Sequence, residues 1–279
     1  LDNFIELNGV NLETIKFSVL MDNDKSIDVD LKTLQKKNEV LLLPVSNDAS
    51  SIKIISQVKV FPKENTSLEG LYESNQMFCT QCEPEGFRKI TWFTDRPDCL
   101  AIFKVRIEAS NRYSTMLSNG NLIEEGIVTE KGIDSERHFK IWSDPFPKPS
   151  YLFALVVGNL ELFESSFTTS SNKNIKLQIF TEIGNKHLTL HAMKSLKKAM
   201  AWDEDNYGLE YDLKVFMIVA VSHFNMGAME NKGLNIFNSK FVLADYETAT
   251  DIDLGNIESI VAHEYFHNWT GNRITCRDW

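Results

Sequence analysis

The chain has 279 residues, of which 43% are hydrophobic and 24% charged, and it carries a formal net charge of −10. That composition suits one large or two ordinary globular domains with ample material for a core. The acidity argues against nucleic acid as a partner, and the lack of a long apolar run argues against a membrane span.

From Leu1 to about Val157 the pattern is strand-like. Short alternating, β-rich runs occur at Glu39–Pro44, Ser51–Phe61, Lys89–Phe93, Cys99–Ala109, Tyr113–Ser118 and His138–Trp142. Turn chemistry separates them at Asp95-Arg96-Pro97-Asp98, Ser118-Asn119-Gly120-Asn121 and Asp144-Pro145-Phe146-Pro147-Lys148-Pro149. The proline-rich stretch is expected to close an all-β unit over residues 1–157. Residues 158–279 then read differently. Strands at Tyr151–Phe163 and Ile175–Ile183 lead into a helix from about Leu188 to Asp205, with Leu190, Met193, Leu196, Lys197 and Met200 along one stripe. Strands at Leu213–Val221 and Leu234–Leu243 precede a last helix, Asp253 to Trp269. The expected class is α+β, with helices packed on a sheet.

The last helix carries His263-Glu264-Tyr265-Phe266-His267. Two histidines four apart share a helix face, so both imidazoles can reach one metal ion. The glutamate between them leans the same way and can take a proton from a metal-bound water, which is the content of the H-E-x-x-H pattern. Ile257, Ile260, Val261, Tyr265 and Trp269 give the helix an apolar side. Thr250, Asp251 and Asp253 are candidate N-caps, and Gly271 is a plausible stop. The longer zinc pattern, with glycine three and histidine six residues after the second histidine, is excluded by Thr270 and Arg273.

Two further segments are ambiguous by themselves. Gly227-Ala228-Met229-Glu230-Asn231-Lys232-Gly233 is either a polar hairpin turn or a strand edge where a peptide can pair, with Glu230 at the cleft. Cys79-Thr80-Gln81-Cys82-Glu83 could be redox or half a metal site, but no second pair accompanies it. Four cysteines do not make a disulfide scaffold in so long a chain. With no initiator Met and no signal peptide at the start, the cytoplasm is the expected location.

Taken together these segments resemble the zinc aminopeptidase family typified by bacterial aminopeptidase N. The resemblance rests on Gly227 to Asn231, on Asn235-Ile236-Phe237-Asn238-Ser239-Lys240 and on His263 through Arg273, extended upstream by Cys79 to Glu83 and Asp144 to Pro149. It implies an N-terminal β domain followed by the first part of a thermolysin-like catalytic domain. It implies one zinc ion per chain on His263 and His267, a third glutamate ligand beyond Trp279, and Glu264 as the base. It also implies that Glu230 and Glu83, helped by Gln81, hold a free α-ammonium. Gly227 and Ala228 would contact the substrate backbone, and Met226 would line the first side-chain pocket. The partner implied is a peptide with a free N-terminus. The alternatives are a thermolysin-like endopeptidase and a non-catalytic peptide-binding module. The start looks clipped and the end lacks a ligand, so the chain is expected to be an inactive piece of a longer enzyme. Oligomeric state has no signature in the sequence.

Overall fold

The computed structural model describes residues 3–21, 26–30, 35–37, 39–45, 51–128 and 136–279. Strands β1 (Asn3–Asn8), β2 (Glu13–Met21), β3 (Ser26–Asp28), β4 (Gln35–Lys37), β5 (Val40–Val45) and β6 (Ile52–Lys59) form two antiparallel sheets, ordered β1-β5-β4 and β3-β2-β6. Leu7, Phe17, Val19, Leu41, Leu43 and Trp92 pack between them. The alternation read in the sequence is the cause: one residue in two turns inward and meets the facing sheet.

Next come β7 (Gly70–Ser74), β8 (Met77–Gln81), β9 (Ala101–Ser110), β10 (Thr115–Ser118), β11 (Asn121–Ile127), β12 (Arg137–Lys148) and β13 (Leu155–Gly158). They build the sheets β10-β13-β8-β7 and β11-β12-β9. Two expectations need correction here. Lys89–Phe93 is no strand: a 3-10 turn over Phe87–Lys89 leads into a loop, and only Phe93 bridges to Asn8. Its apolar residues alternate because Trp92 and the Phe87 and Phe93 rings are needed in the core, so the loop imitates a strand pattern. The proline stretch likewise is not the strand-free turn expected, since β12 runs through it to Lys148, with a register break between Asp144 and Lys148 that spares the ladder from the prolines. The buried pair Lys148 Nζ–Asp144 Oδ2, 3.0 Å apart, fastens that break.

The strand expected over Tyr151–Phe163 is a 3-10 turn (Ser150–Leu152) followed by two strands in different sheets. The chain leaves β13 and enters β14 (Leu160–Thr168) at Asn159. Then follow β15 (Asn174–Glu182), helix α1 (Leu190–Tyr207), β16 (Val215–Val221), β17 (Ala228–Met229), β18 (Leu234–Asn238) and helix α2 (Asp251–Phe266). The sheet order is β14-β15-β16-β18-β17. β16 is parallel to both neighbours and buried on both sides, which explains its unbroken apolar sequence. Phe216, Ile218 and Ala220 face Met193, Leu196 and Met200 of α1 and Ile257, Val261 and Tyr265 of α2. Met217, Val219 and Val221 point the other way, onto Tyr72, Met116, Leu152 and Val156. The five-stranded sheet is thus a middle layer, and the two halves of the chain share a core.

Two element ends also differ from expectation. β18 stops at Asn238, where that side chain accepts from Lys240 N–H and opens a 3-10 turn. Helix α2 stops at Phe266 with His267 as its C-cap, so Gly271 lies beyond the stop. At its start Thr250 and Asp253 form a reciprocal capping box.

Candidate active site

Helix α2 delivers the two imidazoles. The buried stripe Ile257, Val261 and Tyr265 fixes the rotation of the helix on the sheet, and residues 263 and 267 follow on the open flank. His263 Nε2 and His267 Nε2 are 2.9 Å apart, with the rings nearly perpendicular at 87°. His267 Nδ1 lies 2.7 Å from the Thr270 carbonyl oxygen. A carbonyl only accepts, so Nδ1 carries a proton, and in the neutral ring Nε2 is the nitrogen left to bind a metal.

Glu264 is buried, and its Oε2 has no hydrogen-bond partner among the described residues. Ligand atoms of Glu230, Glu264 and His267 all lie within 4.8 Å of one another. Burial first, then the Glu230 and Glu83 carboxylates, push Glu264 up to about 8. Glu83 is raised by burial and by Glu230, with His267 opposing. His263 is held low by burial and by His267. Three carboxylates and two imidazoles therefore meet at one place, and the acids there resist ionising together.

The expected site residues converge in two groups. His263, Glu264, His267 and Glu230 touch or nearly touch, and Glu83 lies within their field. Gln81 and Met226 form the second group: the Gln81 amide is 3.1 Å from Met226 Sδ and 3.3 Å from the Glu83 carbonyl. Met226 is half exposed, so its far side is open. Ala228 belongs to β17, paired antiparallel with Phe237, and among the described residues the sheet ends there. Gly227 accepts at its carbonyl from Asn238 N–H. The segment is a hairpin whose first strand, β17, lies at the edge of the sheet among the described residues. Gly233 serves the turn: its φ is +75°, and a Cβ there would meet Leu213 at 2.9 Å. His223 is held by Ser74 on β7, 3.0 Å from its Nδ1.

Both cysteines of the Cys-x-x-Cys segment are buried, and burial pushes the Cys79 thiol up to about 12, far from thiolate reactivity. A metal ion fits the donor set at the helix. Two nitrogens of one tetrahedral zinc stand roughly 3.3 Å apart, a few tenths of an ångström from the separation here. A cation would also relieve the repulsion that raises Glu264 and Glu83.

What sequence reading missed is a charged network under the site. Lys232 is 1% exposed; its Nζ lies 2.5 Å from Asp212 Oδ1 and 2.7 Å from Asn268 Oδ1, and Arg273 Nη1 is 2.6 Å from Asp212 Oδ2. A lysine in a polar turn is ordinarily solvated, so nothing local marked it as buried.

An all-β half is thus joined to a sheet-backed helix that bears His263-Glu264-Tyr265-Phe266-His267. The chain belongs to peptidase family M1: residues 2–152 match the Peptidase M1 N-terminal domain and residues 191–279 the Peptidase family M1 domain. It is 49% identical over 277 residues to Aminopeptidase N of Caulobacter vibrioides, covering 98% of this chain and 30% of that protein. It is 53% identical to Aminopeptidase N of Haemophilus influenzae, covering 95% of this chain and 29% of that one. The fold is similar to the crystal structure of Legionella pneumophila aminopeptidase A in complex with aspartic acid, with a TM-score of 0.89 at 34% identity, covering 99% of this chain and 31% of that one. The chain thus spans about 30% of the length of its curated relatives.

Proposed function

We propose that the protein to which this chain belongs is a zinc-dependent aminopeptidase that removes single residues from peptides with a free N-terminus. The observation that carries the reading is the gathering of Glu83, Glu230 and Glu264 around the two α2 imidazoles. So much negative charge in a half-buried cleft calls for two positive guests, a metal and an α-ammonium. The names of the relatives support the same reading.

Zinc on His263 and His267, with a third ligand from elsewhere in the longer protein, would polarise the scissile carbonyl and acidify water. The rest falls to the chain. Glu264 accepts the proton of the attacking water and returns it to the leaving amine, and its unpartnered Oε2 is free to do so. Glu230 and Glu83 hold the α-ammonium, which fixes the scissile bond one residue from the N-terminus. A substrate strand pairs along β17 and ends against Glu230, and Met226, steadied by Gln81, lines the first side-chain pocket. An endopeptidase has no use for the carboxylates at Glu83 and Glu230.

The test is hydrolysis of matched peptides, N-terminally free and N-acetylated, by the full-length protein with and without chelation. Zinc-dependent cleavage of the free peptide alone is expected. Equal cleavage of both would overturn the exopeptidase reading, and cleavage that survives metal removal would overturn the zinc.

A further inference from the structure

Lys232 lies two residues after Glu230, and Asn268 directly follows His267. Lys232 and Asn268 are buried, 1% and 2% exposed, and their contact of 2.7 Å joins the β17–β18 turn to the end of the metal helix. Asp212 closes the arrangement by accepting from Lys232 on one oxygen and from Arg273 on the other. Both cations also reach the Phe146 ring, Arg273 at 4.0 Å and Lys232 at 5.2 Å, so the tie continues into β12. On the other side, Asn119 donates to the Lys232 carbonyl at 2.8 Å. The buried Lys232–Asn268 hydrogen bond runs beside the apolar cluster that Ala228 and Phe237 share with Val261 and Tyr265.

A buried lysine is a costly way to stabilise a turn, because an apolar residue of the same length would fill the space without desolvating a charge. What the ammonium adds is direction: it donates to fixed acceptors on two different elements at once. We propose that Lys232, through Asn268, is a positioning residue that sets the distance between the Glu230 carboxylate and the metal helix. The distance matters because an α-ammonium on Glu230 and a scissile carbonyl over His263 and His267 belong to one substrate residue of fixed length. The inference rests on the amine-binding reading above.

The experiment is a double-mutant cycle in the full-length protein, read on an unblocked aminoacyl arylamide with zinc content measured in each variant. Lys232→Met keeps the stem and removes the donor, and Asp212 stays paired with Arg273. It is expected to retain zinc and to lower kcat/KM roughly 10- to 100-fold, the range seen when outer partners of a metal site are removed. Placed on Glu230→Ala, which has no carboxylate left to position, Lys232→Met should cost less than about threefold more. Losses that simply add, or a Lys232→Met variant with wild-type kinetics, would overturn the proposal, since a general packing role predicts the former and no role the latter. If Lys232→Met does not fold, Asn268→Ala cuts the same tie from the helix side with Lys232 still paired, and it must show the same non-additivity. Should wild type cleave free and acetylated peptides alike, the amine reading falls by that comparison alone, whereas the cycle judges the tie.

Discussion

Replacing Glu264 by glutamine preserves the shape of the side chain and removes its ability to accept a proton. In the full-length protein Glu264→Gln should keep the metal and lose turnover by several orders of magnitude, checked by single-turnover kinetics beside metal analysis. A rate within tenfold of wild type would exclude Glu264 as the base. Glu230 offers a different test. A charge-assisted hydrogen bond to an ammonium contributes about 1.5–3 kcal/mol, so Glu230→Ala should lower kcat/KM on a free-amine substrate roughly 10- to 150-fold. An acetylated substrate should be a very poor one for wild type and variant alike, and a Glu230→Ala variant that cleaves the free-amine substrate as wild type does would reassign Glu230 to the turn alone. The motif residues were legible because metal chemistry demands fixed residue types at fixed helical spacing. Lys232, Asn268 and Asp212 were not, because their partnership spans three elements and no local pattern encodes it.

Among the elements, α2 has the clearest local instructions, and its cap can be tested directly. Thr250 Oγ1 and the Asp253 carboxylate satisfy each other's backbone N–H groups at the helix start. Thr250→Ala should cost about 1 kcal/mol of stability, seen as a lowered denaturation midpoint with an unchanged m-value. The β14–β15 hairpin tip is held from outside by Glu210, which accepts from Ser171 N–H and Oγ and from Lys173. Those bonds, led by the Ser171 hydroxyl, hold the Glu210 carboxyl down at about 2. A lowered carboxyl stabilises the fold at pH values above its unfolded pKa, and the contribution fades as pH falls toward the folded value. Glu210→Gln should therefore lower the Tm at pH 7, and the gap from wild type should narrow steadily below about pH 4.5; a gap independent of pH would remove the carboxylate from the account. Strand alternation revealed most of the β half. It failed at Lys89–Phe93, where a loop delivers aromatic side chains inward, and at Asp144–Pro149, where an internal ion pair lets a strand absorb two prolines.

For the molecule as a whole, two imidazoles alone should bind metal weakly, because catalytic zinc sites ordinarily take three protein ligands. The isolated 279-residue chain is expected to lose zinc on dialysis under conditions where the full-length protein keeps one ion per chain. Stoichiometric zinc in the dialysed chain would mean that Glu230 or Glu264 completes the coordination. The middle-layer sheet has its own bearing on how such a protein can be recombined. Met217, Val219 and Val221 rest on Tyr72, Met116, Leu152 and Val156, so neither half owns the surface between them. A chimaera that joins residues 160–279 to the N-terminal half of a distant relative inherits a mismatched seam, with each lost large side chain costing about 2–5 kcal/mol. Such hybrids should be recovered insoluble, and reverting the four N-terminal seam positions to the residues found here should restore soluble expression before any change is made near the metal.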